Sequence, residues 1–293
     1  MATPAAEIHI DEDLVRGLLA RQRPELAALP LKIAASGWDN VMVRAGEEWA
    51  IRLPRRALGA RLLEHELLWL PVLAARLPLA VPVPVFTGEP GDGYPWRWSI
   101  ARWLPGMVAA AAPPADAGEA GRALAAFLEA LHQPAPAEAP VNAFRGVPLG
   151  ARAESVQRTA RALEGVVDAD RVLTLWESLR DTPAWEGPAL WLHGDLHPCN
   201  LLTHCGRLSA VIDFGDLTSG DPATDLAVAW MLFGESGRAI FRRELSVSEN
   251  TWRRAAGWAL NFSLLYLTAD ADTALPAVGR ATLGAVLEEF SRE

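Results

Sequence analysis

The chain has 293 residues, of which 51% are hydrophobic and 22% charged; this describes one large core or two lobes and excludes a disordered chain. Its formal net charge is −9, so neither a nucleic-acid backbone nor an anionic membrane is the expected main partner, since both call for clustered Lys and Arg. The charge favours a cationic small ligand, although a plain acidic protein has the same balance.

Asp11 and Asp13 stand at the start of a segment with helical periodicity, 14–29, as acidic residues do at helix N-termini. The period then shortens. "LKIAASG" (31–37), "NVMVRAG" (40–46) and "EWAIRLP" (48–54) predict strands, with a tight turn at Gly46 between the last two. Residues 57–76 return to a helical pattern, "VPVPVF" is extended, and "WRWSIARWL" alternates as a strand does. At Leu104 the texture changes, and "PGMVAAAAPPADAG" reads as a linker. Helices are predicted over 116–131, 151–163, 169–179, 222–233, 248–269 and 275–290, with short apolar pieces at 190–192 and 208–212. The expectation is an α+β chain of two lobes: a strand-rich N-terminal lobe over 1–103 and a mainly helical C-terminal lobe over 104–293. Ligand clefts commonly lie between two lobes.

The opening "MATPAAEIHIDEDL" has no basic-then-apolar signal pattern, and the longest apolar run, 67–86, holds Arg76 and four prolines, which bars a regular membrane helix. Two cysteines, Cys199 and Cys205, make no disulfide framework. These points read as a reduced, cytoplasmic protein. Lys32 is the only lysine, a composition that reflects coding bias and not mechanism.

The chemistry concentrates in "WLHGDLHPCNLL" (191–202) and "VIDFGD" (211–216). Asp195 and Asn200 stand five residues apart on a loop that Gly194 and Pro198 keep out of a helix. Asp213 follows an apolar run and precedes Gly215, so it projects from a strand end before a sharp turn. Phosphoryl transfer from a nucleotide needs one carboxylate beside the acceptor hydroxyl, to orient it and take its proton. It needs a second carboxylate and a neutral oxygen ligand to hold Mg²⁺ on the phosphates. Asp195 suits the first task; Asp213 and Asn200 suit the second. His193-Gly194-Asp195, Asn200 and Asp213-Phe214-Gly215 also keep the spacing of the protein-kinase H-R-D…N and D-F-G motifs.

"HGDLHPCN", "VIDFGD" and "GDPATDLAVAW" together resemble the aminoglycoside phosphotransferase family, a branch of the protein-kinase-like fold, and the likeness runs over essentially the whole chain. It implies ATP or GTP as phosphoryl donor, Mg²⁺ as metal, Asp195 as catalytic base and Asn200 and Asp213 as metal ligands. It implies that His193 supports the loop and that Asp225 braces it by accepting backbone N–H bonds. "WAIR" lies where kinases carry V-A-I-K, which puts Arg52 in place of the phosphate-contacting lysine, with Glu66 as its candidate partner. "SGWDN", beginning Ser36-Gly37, sits where a phosphate-covering loop belongs, and backbone groups near Ala101 and Trp103 are expected to meet the purine.

The acceptor implied by the resemblance is a hydroxyl of an aminoglycoside. Other hydroxylated molecules stay open: a macrolide, an amino alcohol or a sugar. Trp252, Trp258, Phe262 and Tyr266 recur along one helix as core or pocket wall, and Glu235, Asp270 and Asp272 are acids that a polycation would meet. Asp216 is a candidate active-site residue and Asp221 a candidate cap for the helix after Pro222. His197 reads equally as a structural or an active-site histidine. Two other classes remain: a nucleotide-binding pseudokinase, which Arg52 keeps open, and a zinc module built from His193, His197, Cys199, His204 and Cys205, whose spacing matches no common zinc motif. A monomer or a homodimer is expected.

Overall fold

The computed structural model describes residues 4–291; the first three residues of the opening segment and the last two of the chain lie outside it. The chain forms two compact units, one of residues 4–105 with 212–215 and the other of residues 106–211 with 216–291.

In the first unit, helix α1 (Glu12–Gln22) is capped by Asp11, whose carboxylate accepts the Leu14 N–H at 2.9 Å. The single helix predicted over 14–29 is in fact two. Pro24 has no N–H and disfavours helical geometry before it, so Arg23 leaves the helix (φ −146°, ψ 65°) and α2 (Pro24–Ala27) starts afresh. Strands β1 (Leu31–Ser36), β2 (Asn40–Ala45) and β3 (Trp49–Pro54) follow as an antiparallel meander. Helix α3 (Ala57–Ala74) then leads to β4 (Pro84–Gly88) and β5 (Trp98–Arg102), completing a sheet in the order β1-β2-β3-β5-β4. The alternation of β2 puts Val41, Val43 and Ala45 inside. These pack with Ile51, Leu53, Trp98 and Ile100 against Val15, Leu18 and Leu19 of α1. Each Val, Leu or Ile among them, fully buried, contributes about 1.5–3 kcal/mol. On α3 the buried positions Gly59, Leu63, Glu66, Leu70 and Leu73 recur every three or four residues, so Glu66 lies on an otherwise apolar face.

In the second unit, part of the stretch read as a linker is strand: β6 (Met107–Val108) pairs with β8 (Leu201–His204), which pairs with β9 (Arg207–Val211). Between them come α4 (Ala117–Leu131), α5 (Ala153–Ala162), α6 (Ala169–Arg180) and β7 (Leu190–Leu192). After β9, strand β10 (Thr218–Gly220) pairs antiparallel with β7. Five helices follow: α7 (Ala223–Leu226), α8 (Val228–Leu232), α9 (Glu235–Glu244), α10 (Glu249–Leu267) and α11 (Leu275–Glu289). Helix α10 is buried on nearly every side, from Thr251 to Tyr266, and is the axis of this unit's core. The strand-rich and helix-rich parts together give the α+β, bilobal, kinase-like fold that the sequence predicts. Among the described residues no helix is long and apolar enough to cross a membrane.

Candidate active site

The loop that carries Asp195 in the second unit is a short crossing between β7 and β8. Its entry is fixed by Asp225 of α7, which is fully buried and accepts the N–H groups of His193 at 2.8 Å and Gly194 at 2.9 Å. His132 at the end of α4 adds a third contact to the same carboxylate at 3.1 Å. Gly194 has φ +85°, and a Cβ there would stand 2.2 Å from the Asp216 carbonyl oxygen, so no other residue fits. The His193 ring, buried, takes the Asp195 N–H on Nδ1 at 3.2 Å. The loop therefore offers the Asp195 carboxylate, about a quarter exposed at 24%, from a backbone held at three successive N–H groups.

Two cations face that carboxylate. His197 Nε2 lies 3.3 Å from Oδ2, and Arg145 Nη2 lies 3.4 Å from Oδ1. Burial pushes the Asp195 carboxyl up, but His197, then Arg145 and His193, pull it down further, and it is held well below the usual carboxylate range. Burial pulls the His197 ring down, and the Asp195 charge and hydrogen bond more than offset this, so the imidazole is pushed up to about 10. His197 Nδ1 accepts the Cys199 N–H at 3.2 Å, which leaves Nε2 as the proton-bearing nitrogen toward Asp195.

Asn200 closes the loop. Its Nδ2 donates to the Asp195 carbonyl at 2.8 Å and lies 3.2 Å from His197 Nε2, so these contacts leave the side-chain oxygen unspent. That oxygen is the hard neutral donor that a magnesium ion accepts. Asp216 is tied to Asn142, whose Nδ2 donates to Oδ1 at 2.7 Å. Asp221 does more than cap: Oδ1 accepts the Ala223 N–H at 3.0 Å, and its carboxylate forms a buried pair with Arg254 of α10, Nε to Oδ2 at 2.7 Å.

In the first unit, β3 carries Arg52, which is buried with 8% of its surface exposed. Its Nη1 lies 2.8 Å from Glu66 Oε2 and its Nη2 lies 2.7 Å from Asp213 Oδ1. The Asn40 amide, with its oxygen toward the guanidinium, accepts from Nη2 at 2.8 Å and Nε at 3.2 Å. Burial works against the Arg52 charge, but Glu66 and Asp213 outweigh it and hold the guanidinium protonated. Asp213 is 54% exposed and has φ +61°, a backbone setting seldom taken outside glycine. Its carboxylate is the second hard oxygen donor, and it suits a divalent cation.

The proposed nucleotide-contacting positions are less open. Ser36 Oγ and the Gly37 carbonyl both accept from Arg55 Nη1 at 3.0 Å, and the Gly37 N–H is donated to the Asn40 carbonyl at 2.9 Å. Ala101 sits within β5, paired to Ala50 and Pro84, and the Trp103 N–H is taken by the Glu48 carbonyl at 2.7 Å. Among the described residues no group of three or more His, Cys, Asp or Glu side chains is gathered closely enough to hold a metal ion.

A profile of the phosphotransferase enzyme family matches residues 30–258, well over half of the chain. The chain belongs to that family. Its relatives include the uncharacterized protein YcbJ of Bacillus subtilis, 28% identical over 214 residues, which are 66% of this chain and 66% of that protein. An aminoglycoside 3'-phosphotransferase of Salmonella typhimurium is 29% identical over 130 residues, 41% of this chain and 46% of that one. The match thus spans just under two thirds and just under half of these curated relatives. Among solved structures, the GDP complex of wild-type aminoglycoside 2'-phosphotransferase-IIIa is 21% identical, with a TM-score of 0.71 over 96% of this chain and 100% of that one. Macrolide 2'-phosphotransferase type I is 24% identical, with a TM-score of 0.62 over 94% of this chain and 98% of that one. At such identities these structures establish the fold of this phosphotransferase, and its acceptor is a separate question.

Sequence reading missed Arg145, Asn142 and Arg254. Arg145 lies in "NAFRGVP", a loop without periodicity or motif, and it meets Asp195 across 50 residues of chain. The one local signal is Gly146 just after it, at φ +69°, which marks a fixed turn and not a loose loop.

Proposed function

We propose that the protein transfers the γ-phosphoryl group of ATP or GTP to a hydroxyl of a small molecule in a Mg²⁺-dependent reaction. The observation that carries this reading is the Asp195 carboxylate, held ionised on a braced loop with Asn200 bonded to its own backbone carbonyl. Asp195 accepts a hydrogen bond from the acceptor hydroxyl, orients its oxygen for in-line attack, and takes the proton as the new O–P bond forms. The bond from the γ-phosphorus to the β-bridging oxygen breaks, and a nucleoside diphosphate leaves. Arg52 neutralises charge on the nucleotide phosphates, and Glu66 holds Arg52 in place. Asn200 and Asp213 are the residues that would hold Mg²⁺, which supplies charge neutralisation on the phosphates when bound. Ser36, Gly37, Ala101 and Trp103 are proposed to adjoin the nucleotide through backbone groups, and the bonds they now make would exchange or persist on binding. The net charge of −9 and the family support a small-molecule partner over nucleic acid or membrane.

The test is transfer of labelled γ-phosphate from Mg²⁺-ATP and Mg²⁺-GTP to a panel of hydroxylated acceptors. Aminoglycosides and macrolides enter first, because relatives carry those names. Transfer is expected to fall by roughly 10²–10⁴ in Asp195→Asn, the range for loss of a general base. Nucleotide binding with no transfer to any acceptor would make the protein a pseudokinase. Absence of nucleotide binding would sink the reading.

A further inference from the structure

Around Asp195 in the second unit lie several buried polar atoms without a hydrogen-bond partner: Arg145 Nε, Arg152 Nε and the Tyr266 hydroxyl. Arg145 is largely buried, at 16% exposure, with its guanidinium 4.9 Å above the Phe262 ring. Its contacts are long, 3.4 Å to Asp195 Oδ1 and 3.4 Å to the Phe144 carbonyl, and its Nε has no hydrogen-bond partner. A guanidinium carries five N–H donors. Arg152, 8% exposed, lies over the Phe144 ring at 5.4 Å. It forms no ion pair among the described residues, touches Ser155 Oγ only at 3.5 Å, and has an orphaned Nε. Its own charge is disfavoured first by burial and then by Arg145, which identifies the two arginines as neighbours. Tyr266, stacked on Phe262 at 5.8 Å and edge-on to His197 at 5.3 Å, has a buried hydroxyl without a partner.

Buried polar groups without partners are costly, and more so when charged. Here the cost falls on two neighbouring cations and a phenol, beside two carboxylates that are already served, Asp195 by His197 and Asp216 by Asn142. A polycation brought to Asp195 would meet Arg145 first. A carboxylate or phosphate would meet a desolvated, preoriented fork.

Resting on the phosphotransferase reading above, we propose that the acceptor carries an anionic group, a carboxylate or a phosphate, near the hydroxyl that is phosphorylated. Arg145 is the side chain that recognises that group, and Arg152 is the second positive charge of the same subsite. Arg145 is thus a specificity-determining residue: it leaves Asp195 for the ligand's anion when acceptor binds, and Asp195 turns to the hydroxyl.

The experiment compares acceptors on a common polyol frame. Aldonates and sugar phosphates form the anionic set, alditols the neutral set, and amino sugars with aminoglycosides the cationic set. Binding to the Mg²⁺–nucleoside diphosphate complex is measured by calorimetry, and transfer by labelled γ-phosphate, for wild type, Arg145→Gln and Arg152→Gln. Anionic members are expected to bind best. Arg145→Gln should weaken them roughly ten- to a hundredfold, the loss of one charge-assisted contact, with nucleotide affinity held within about twofold. Arg152→Gln should weaken the same set by a smaller factor, and it decides the matter if Arg145→Gln does not fold. The inference is overturned if neutral or cationic members bind as tightly as anionic ones, or if no anionic member binds at millimolar concentration. It is also overturned if Arg145→Gln lowers kcat equally for every acceptor with binding unchanged, since Arg145 would then act on the transferred phosphoryl group. The phosphotransferase reading fails on other signals: lost nucleotide binding, or transfer that survives Asp195→Asn.

Discussion

Arg52, buried, and Arg145, largely buried, both touch a proposed active-site aspartate, yet their surroundings differ. Arg52 has Glu66 at 2.8 Å, Asp213 at 2.7 Å and the Asn40 amide, so its donors are spent. Arg145 has two contacts of 3.4 Å and an aromatic face. The first is a framework residue, fixed by short charged contacts before any ligand arrives. The second is held by stacking and keeps its donors for something else. Under the proposed function, a site that reuses one donor nucleotide can hard-wire its phosphate contact, whereas acceptor recognition needs a charge that is oriented but unspent.

The largest break in that contrast is Arg52→Ala. It leaves Glu66, 2% exposed, without its cation, and should cost about 3–5 kcal/mol in urea unfolding. Arg52→Lys should restore part of it, because a point charge meets one carboxylate well but not the fork of contacts. A loss below about 1 kcal/mol in Arg52→Ala would show that Glu66 is neutral there and that the framework description fails.

Next comes pH. His197 titrates at about 10 in the fold against an ordinary 6.5. The stability it contributes is therefore fully present below 6.5 and is lost as pH rises through 10. Asp195, held below its ordinary 3.8, contributes above that value and loses its share as pH falls through its lowered value. Unfolding free energy should thus fall by a few kcal/mol between about pH 6 and about pH 10. His197→Asn should flatten that slope. An unchanged slope would mean that Asp195 and His197 do not share a charge.

The smallest effect is the informative opposite of the first. Arg145→Gln should change unfolding free energy by less than about 1 kcal/mol, since contacts of 3.4 Å to a partly exposed carboxylate are weak. A loss as large as that of Arg52→Ala would make Arg145 a framework residue too.

What the sequence showed and what it hid follow from how local each interaction is. The loop of Asp195 and Asn200 was legible as a turn because Gly194 and Pro198 break the helical pattern there, and the roles of Asp195, Asn200 and Asp213 are proposals. Strand β2 was legible because one face is buried and the alternation records it. Helix α9 was missed because half of "ESGRAIFRRE" is charged and it holds Gly237; its buried positions are Gly237, Arg238 and Phe241, only one of them a large apolar side chain. The break at Pro24 was a rule passed over, since helical periodicity continues on both sides of it. Arg145 and Arg254 were illegible for another reason. Each finds its carboxylate far along the chain, 50 and 33 residues away, and nothing in the neighbouring residues encodes that meeting.

The arginine at position 52 also decides how the protein behaves toward chemical labelling. Nucleotide probes that acylate a phosphate-binding lysine need a free amine at that place, and a guanidinium with its donors bound to Glu66 and Asp213 offers no such nucleophile. The only amine on a side chain is that of Lys32, on the exposed face of β1. Under the proposed function, amine-reactive nucleotide reagents will pass this protein by in profiling experiments.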